Sequence, residues 1–215
     1  MKDIQLKGAA PADIERLSME TIAAEMPAND FTAEQLPVVM RCVHTSADFD
    51  YVKNLKFTEN AVKRAVEAIK GGCTVVTDTQ MAYSGVNKRV LERFGGKAVC
   101  FMSDPDVAAE AKERGVTRAA VSMERAAAIE GSVILAVGNA PTALVRACEL
   151  MDEGRFSPVL VIGAPVGFVN VVESKELLCS MGCDYIAAMG RKGGSNIAAA
   201  ICNALIYSAS GGARE

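Results

Sequence analysis

The chain has 215 residues, 50% of them hydrophobic and 23% charged, with 18 glycines against 7 prolines, proportions that fit one compact globular domain and exclude a disordered or fibrous chain. Its 23 basic and 26 acidic residues give a net charge of −3, and no like-charge run is long enough to build a basic face for nucleic acid. Mean hydropathy is +0.19, yet the longest apolar stretches, 158–172 and 197–209, are interrupted by Gly, Pro or Asn and fall short of the roughly 18 residues that cross a membrane.

The opening residues MKDIQLKGAAPADIERL lack the apolar core of a secretory signal, so a cytoplasmic location is expected, with no membrane association. Ile14, Leu17, Thr21 and Ile22 then make one helical stripe, and Val62, Ala65, Val66 and Ile69 another, with no clear strand between them. The intervening TAEQLPVVMRCVHTS (32–46) is ambiguous. Thr32 and Gln35 have the spacing of a capping box, Pro37 sits late for a first turn, and VVMRCV could pass for a strand; the balance favours helix. Residues 1–70 are therefore expected to be a helical N-terminal extension.

From residue 73 onward the pattern changes. CTVVT (73–77), VILAV (133–137) and PVLVI (158–162) are continuous apolar runs between turn residues, and KAVCFM (97–102) and DYIAAM (184–189) are weaker versions. Between them lie helical spacings at Val107, Ala108 and Ala111, at Leu144, Ala147, Cys148 and Met151, and at Ile197, Ile201, Ala204, Leu205 and Ser208. Continuous strands alternating with helices predict an α/β fold, a three-layer, doubly wound parallel sheet of about five strands in the flavodoxin-like order. The expected organisation is one domain over 1–215, with the extension at 1–70, the α/β core at 71–210 and a frayed GGARE end.

In such sheets ligands bind beyond the carboxyl ends of the strands. That edge is predicted to carry 78–85, 103–105, 138–142, 163–168 and 190–195. Gly138–Thr142 and Gly190–Ser195 each lead into a helix whose amides and dipole favour an anion, and the second adds Arg191 and Lys192. Neither GxxxxGK[ST] nor GxGxxG is present, so a nucleotide is not expected; the plain alternative is that these glycines are turn and cap residues. Seven cysteines, at 42, 73, 100, 148, 179, 183 and 202, are an odd number without a CxxC pair, as for reduced thiols. Cys179 and Cys183 could share a helix face, but with one histidine in the whole chain no metal site is expected.

That histidine, His44, is the one side chain whose ordinary pKa lies near neutrality. On a helix, Arg41 lies one turn before it, a cation placed to hold a carboxylate beside a proton donor. Asp48 and Asp50 read as solvated turn carboxylates and the methionines as core filler or pocket wall.

Four segments, HTSADFDY (44–51), GNAPTAL (138–144), PVLVIGAPVGFVNVVESKE (158–176) and GRKGGSNIAAAICNAL (190–205), resemble the precorrin-8X methylmutase family in order and spacing over nearly the whole chain. The resemblance implies an isomerase of corrin (vitamin B12) biosynthesis that moves a methyl group from C-11 to C-12 of precorrin-8X or cobalt-precorrin-8, without an external methyl donor or cofactor. It further implies a homodimer, His44 as the catalytic proton donor and acceptor, and Ser18 and Arg41 as substrate contacts. Asn139, Thr142, Arg191 and Ser195 are added as candidate contacts for the carboxylates of the macrocycle, from their place at the sheet edge. Two other functions fit the same residues: a non-catalytic tetrapyrrole carrier, with His44 as a contact, and a phosphate-binding α/β enzyme using the GRKGGS loop. The cysteine usage leans toward the cobalt-containing substrate.

Overall fold

The helical stripes of the first 70 residues become α1 (Ile14–Glu25), α2 (Leu36–Ser46), the single turn α3 (Tyr51–Asn54) and α4 (Ala61–Lys70), with a short strand, β1 (Leu55–Phe57), between the last two. Strand and helix then alternate: β2 (Thr74–Thr77), α5 (Gln80–Gly85), α6 (Lys88–Glu92), β3 (Lys97–Val99), α7 (Pro105–Arg114), α8 (Arg118–Ala127), β4 (Val133–Val137), α9 (Pro141–Asp152), β5 (Leu160–Gly163), α10 (Val171–Ser180), β6 (Tyr185–Ala188) and α11 (Ser195–Ala209). These elements belong to a computed structural model, which describes residues 10 and 13–212; the end of the expected frayed tail, 213–215, lies outside them.

Among the described residues one sheet has six strands in the order β1-β6-β5-β4-β2-β3. The strands from β2 to β6 run parallel, whereas β1 joins β6 antiparallel, with Leu55 opposite Ala188 and Phe57 opposite Ile186. Two expectations are corrected. The sheet has six strands rather than about five, and residues 1–70 are not wholly helical, because 55–57 is a strand. Leu55-Lys56-Phe57 is too short to show a period of two, and only its pairing with β6 makes it a strand.

The alternation of side chains along the central strands creates the layers. Ile134 and Ala136 of β4 and Leu160 and Ile162 of β5 join the core under α2, α4 and α11. Val133, Leu135 and Val137, with Val161, join the opposite core under α8, α9 and α10. Both faces of β4 and β5 are thus covered, which is why their sequences are apolar without alternation.

The ambiguous segment before His44 is helix α2. Its start is a reciprocal cap: Gln35 N donates to Thr32 Oγ1 at 3.3 Å and Thr32 N donates to Gln35 Oε1 at 3.2 Å. Pro37 falls in the first turn, where its missing N–H leaves no bond unmade. Val38, Val39, Cys42 and Val43 face the core, chiefly against α11, and this leaves His44 at the other end of the helix and off the buried stripe.

Candidate active site

The last turn of α2 carries His44, and α1 lies across it. Between them runs a groove of about 770 Å³ whose walls include Ile14, Leu17, Ser18, His44 and Phe49. Ile14 and Leu17 keep 56% and 39% of their surface exposed, so an apolar face of α1 looks into this space. Ser18 is held on its helix by donating to Ile14 O at 2.8 Å. Among the described residues the His44 ring makes no hydrogen bond. Partial burial holds its pKa below the usual imidazole value, and the positive Arg41 nearby lowers it further.

Arg41, one turn before His44, does not line the same groove. It lines a neighbouring cavity of about 610 Å³ with Lys63, Lys70 and Tyr207. Its guanidinium pairs with Glu15 at 2.5 Å, stacks 5.5 Å from the centre of the Tyr207 ring, and has its pKa lowered by burial. His44 and Ser18 therefore share one groove. Arg41 acts on His44 through space, while its own charge is matched by Glu15.

At the carboxyl edge of the sheet, β2 and β4 are neighbours, and the strand order reverses there. Asp78 follows β2 at this point and is fully buried. Its Oδ1 accepts from Gly138 N at 2.7 Å, and its Oδ2 accepts from Asn139 N and Ala140 N, each at 2.8 Å. Burial raises the Asp78 pKa, and these three donors offset only part of the rise. The chain's own carboxylate thus occupies the amides at the start of α9 that the sequence marked for an external anion. What Asn139 and Thr142 still present are side chains. Asn139 is exposed, and Thr142 faces a cavity of about 580 Å³ together with Arg114, Thr117 and Arg146.

The last candidate loop is packed closely against its neighbours. A Cβ on Gly193 would stand 2.3 Å from Ala164 O, and one on Gly138 would stand 2.7 Å from Ser195 Cα, so both positions need glycine for close approach of backbones. Ser195 is buried, and its hydroxyl shares a 2.8 Å hydrogen bond with Thr79, which in turn caps α5 by accepting from Ala82 N at 3.0 Å. Arg191 is exposed and lies 5.5 Å from the centre of the Phe168 ring.

Sequence reasoning took Lys192 only as a charge on the anion loop, and it missed Lys175. Lys192 Nζ donates to Asp48 at 2.5 Å and to Asp50 at 2.6 Å, so the two turn carboxylates after His44 are tied to the GRKGG loop. Both partners favour the charged forms: Asp48 is held below the usual carboxylate range, and Lys192 above the usual amine range. Lys175, inside the PVLVIGAPVGFVNVVESKE segment, is fully buried. Its ammonium donates to Gly190 O and Lys192 O, both at 2.8 Å, and burial pushes its pKa down to about 8. The contacts tie the turn after His44 to the GRKGG loop through Lys192 with Asp48 and Asp50, Ser195 to Thr79, and Asn139 to Asp78, so these residues gather along the sheet edge. Among the described residues no group of three or more His, Cys, Asp or Glu side chains could hold a metal ion, and α10 ends before Cys183, so Cys179 and Cys183 do not share a helix face. No helix among them is long and apolar enough to cross a membrane.

Residues 13–208 match the model of the precorrin-8X methylmutase (CbiC) family. The chain belongs to this family. It is similar to the cobalt-precorrin-8 methylmutase of Priestia megaterium, 43% identical over 94% of this chain and 90% of the relative. It is also similar to that of Salmonella typhimurium, 46% identical over 79% of this chain and 80% of the relative, and to the precorrin-8X methylmutase of Pseudomonas aeruginosa, 38% identical over 89% and 93%. The crystal structure of a precorrin-8X methyl mutase from Thermus thermophilus superposes with a TM-score of 0.85 at 36% identity, covering 93% of this chain and 98% of that one. The methylmutase chain is therefore an isomerase-class enzyme.

Proposed function

We propose that this enzyme moves the methyl group from C-11 to C-12 of precorrin-8X or cobalt-precorrin-8, giving hydrogenobyrinate or cobyrinate, with His44 passing the proton that accompanies the shift. The observation that carries this reading is His44 itself: the one histidine of the chain, in the wall of an open groove, with a lowered pKa and no hydrogen bond among the described residues. An intramolecular methyl migration needs no nucleophile. It needs a ring held in one tautomer and a proton group within reach, and the geometry supplies an imidazole that can accept or donate. General acid–base assistance of this kind is worth about 10²- to 10⁴-fold, and clamping of the macrocycle supplies the rest.

Ser18 is read as a contact in the His44 groove. Asn139, Thr142, Arg191 and Ser195 are read as contacts along the sheet edge, through side chains rather than through the α9 amides that Asp78 already holds. Arg41 supports the site from the neighbouring cavity. No external methyl donor and no cofactor enter this reading. The order β3-β2-β4-β5-β6 of the parallel strands supports the flavodoxin-like description of the core, and the chain is read as one domain that works as a cytoplasmic homodimer.

The test is a time course of absorption with the metal-free and the cobalt-containing substrate, each in excess over enzyme. Conversion of the excess is expected, and the preferred form identifies the natural substrate. A shift that stops at one equivalent would make the protein a carrier. Replacing His44 with Ala should lower turnover about 10²-fold or more while the macrocycle still binds; near-normal turnover would remove His44 from the mechanism.

A further inference from the structure

The helix that bears His44 ends in a turn closed by its own side chains. Ser46 Oγ donates to Cys42 O at 2.7 Å and accepts from Asp48 N at 3.2 Å. Ala47 takes the left-handed conformation, with φ of 53°, and Asp48 Oδ1 accepts from Asp50 N at 2.9 Å. Asp48 Oδ2 and Asp50 Oδ2 both accept from the Lys192 ammonium. Lys192 stands in the loop between β6 and α11, whose backbone is held by Gly167 N donating to Arg191 O at 3.3 Å and Gly194 N donating to Ala164 O at 2.8 Å, and, at Lys192 itself, by Lys175. The two carbonyls that Lys175 holds are those of Gly190 and of Lys192 itself. A buried ammonium is costly without full hydrogen bonding, and a methionine would fill the space, so the use of lysine there is explained by the two carbonyls it ties.

We propose that Lys192, seated by Lys175, is a positioning residue for His44: by clasping Asp48 and Asp50 it fixes the end of α2, and with it the place of the imidazole against the bound macrocycle. The inference rests on the reading of His44 as the proton carrier. An exposed ion pair contributes little to stability because solvent screens it, so the clasp is weak as a stitch. Its effect on geometry is larger, because a displacement of about 1 Å of a reacting group can cost on the order of 10²-fold in rate.

Replacing Lys192 with Met in the full chain should leave the fold intact and lower kcat by about 10- to 100-fold, with KM changed much less. Arg at 192 should restore most of the loss. The pair Asp48→Asn with Asp50→Asn should reproduce the kcat defect although Lys192 remains. The chain has one histidine, so its ring-proton NMR signals are unambiguous. In Lys192→Met they should shift and titrate closer to the ordinary value of about 6.5, because the ring is less buried and two carboxylates lose their cation. Unchanged kcat and unchanged histidine signals would reduce the clasp to a surface stitch. An effect confined to KM, absent from the Asp48 and Asp50 double variant, would make Lys192 a direct substrate contact and overturn the proposal. If His44→Ala retained turnover, the proton role would fall, while the NMR comparison would still show whether Lys192 places the ring.

Discussion

His44 and Arg41 are one helical turn apart, and their roles divide by what surrounds each. The imidazole lies in an open groove, while the guanidinium is taken up by Glu15 and the Tyr207 ring. Partial burial, and then the Arg41 charge, hold the imidazole neutral over a wider pH range. The sign follows by linkage. A base whose folded pKa is lowered contributes its full stability above the unfolded value of about 6.5, and that contribution is lost as pH falls through the folded value. Arg41→Met removes the cation and leaves the Glu15 carboxylate behind, and both changes favour imidazolium. The His44 titration, followed by its ring-proton signals, should therefore move upward toward about 6.5; a curve that stays put or moves down would show that Arg41 does not act on the ring. At this scale the sequence was readable where a residue type is unique or a short segment is distinctive, as for His44. It was silent on the pairing of Lys192, because its partners lie 144 and 142 positions away, and Asp48 and Asp50 look locally like any solvated turn.

Elements were legible in proportion to their length and to how much of their pattern is local. Val133–Val137 is a strand to the residue, since five buried positions between Ser132 and Gly138 leave little choice. α2 was ambiguous by hydrophobicity alone, and the Thr32–Gln35 cap resolves it. β1 could not be seen, because its only reason to be a strand is the partner β6. The start of α9 shows a subtler limit. A glycine-led turn into a helix advertises an anion site, and here the anion is internal. The full burial of Asp78 depends on three amides that are 60 to 62 residues ahead. Asp78→Ala should strand those donors, with only partial repair by water, and cost about 2–3 kcal/mol of stability. A urea midpoint indistinguishable from that of the wild type would show that the turn satisfies its amides in another way.

At the scale of the whole molecule, large apolar side chains stand exposed close to the candidate site residues: Ile14 and Leu17 in the His44 groove, Met81 at 70% just after β2 at the start of α5, and Phe168 and Val169 at 84% and 76% in the loop between β5 and α10. Scattered exposed hydrophobics are ordinary. A concentration of them around a functional edge marks a surface that works in contact with something else. The macrocycle can cover part of it, and the proposed homodimer offers a second copy for the rest, through a two-fold contact that uses the same patch twice. If Phe168 is buried between copies, Phe168→Asp places a charge there and removes a large aromatic contact, a change that costs roughly 2 kcal/mol or more at an interface centre. That corresponds to more than a tenfold rise in the dimer dissociation constant. Sedimentation velocity over a range of concentrations should show a dimer for the wild type and a shift toward monomer for the variant, with turnover falling as the dimer is lost. An active wild-type preparation that sediments as a monomer at micromolar concentration would refute the dimer, and the exposed edge would then serve the substrate alone.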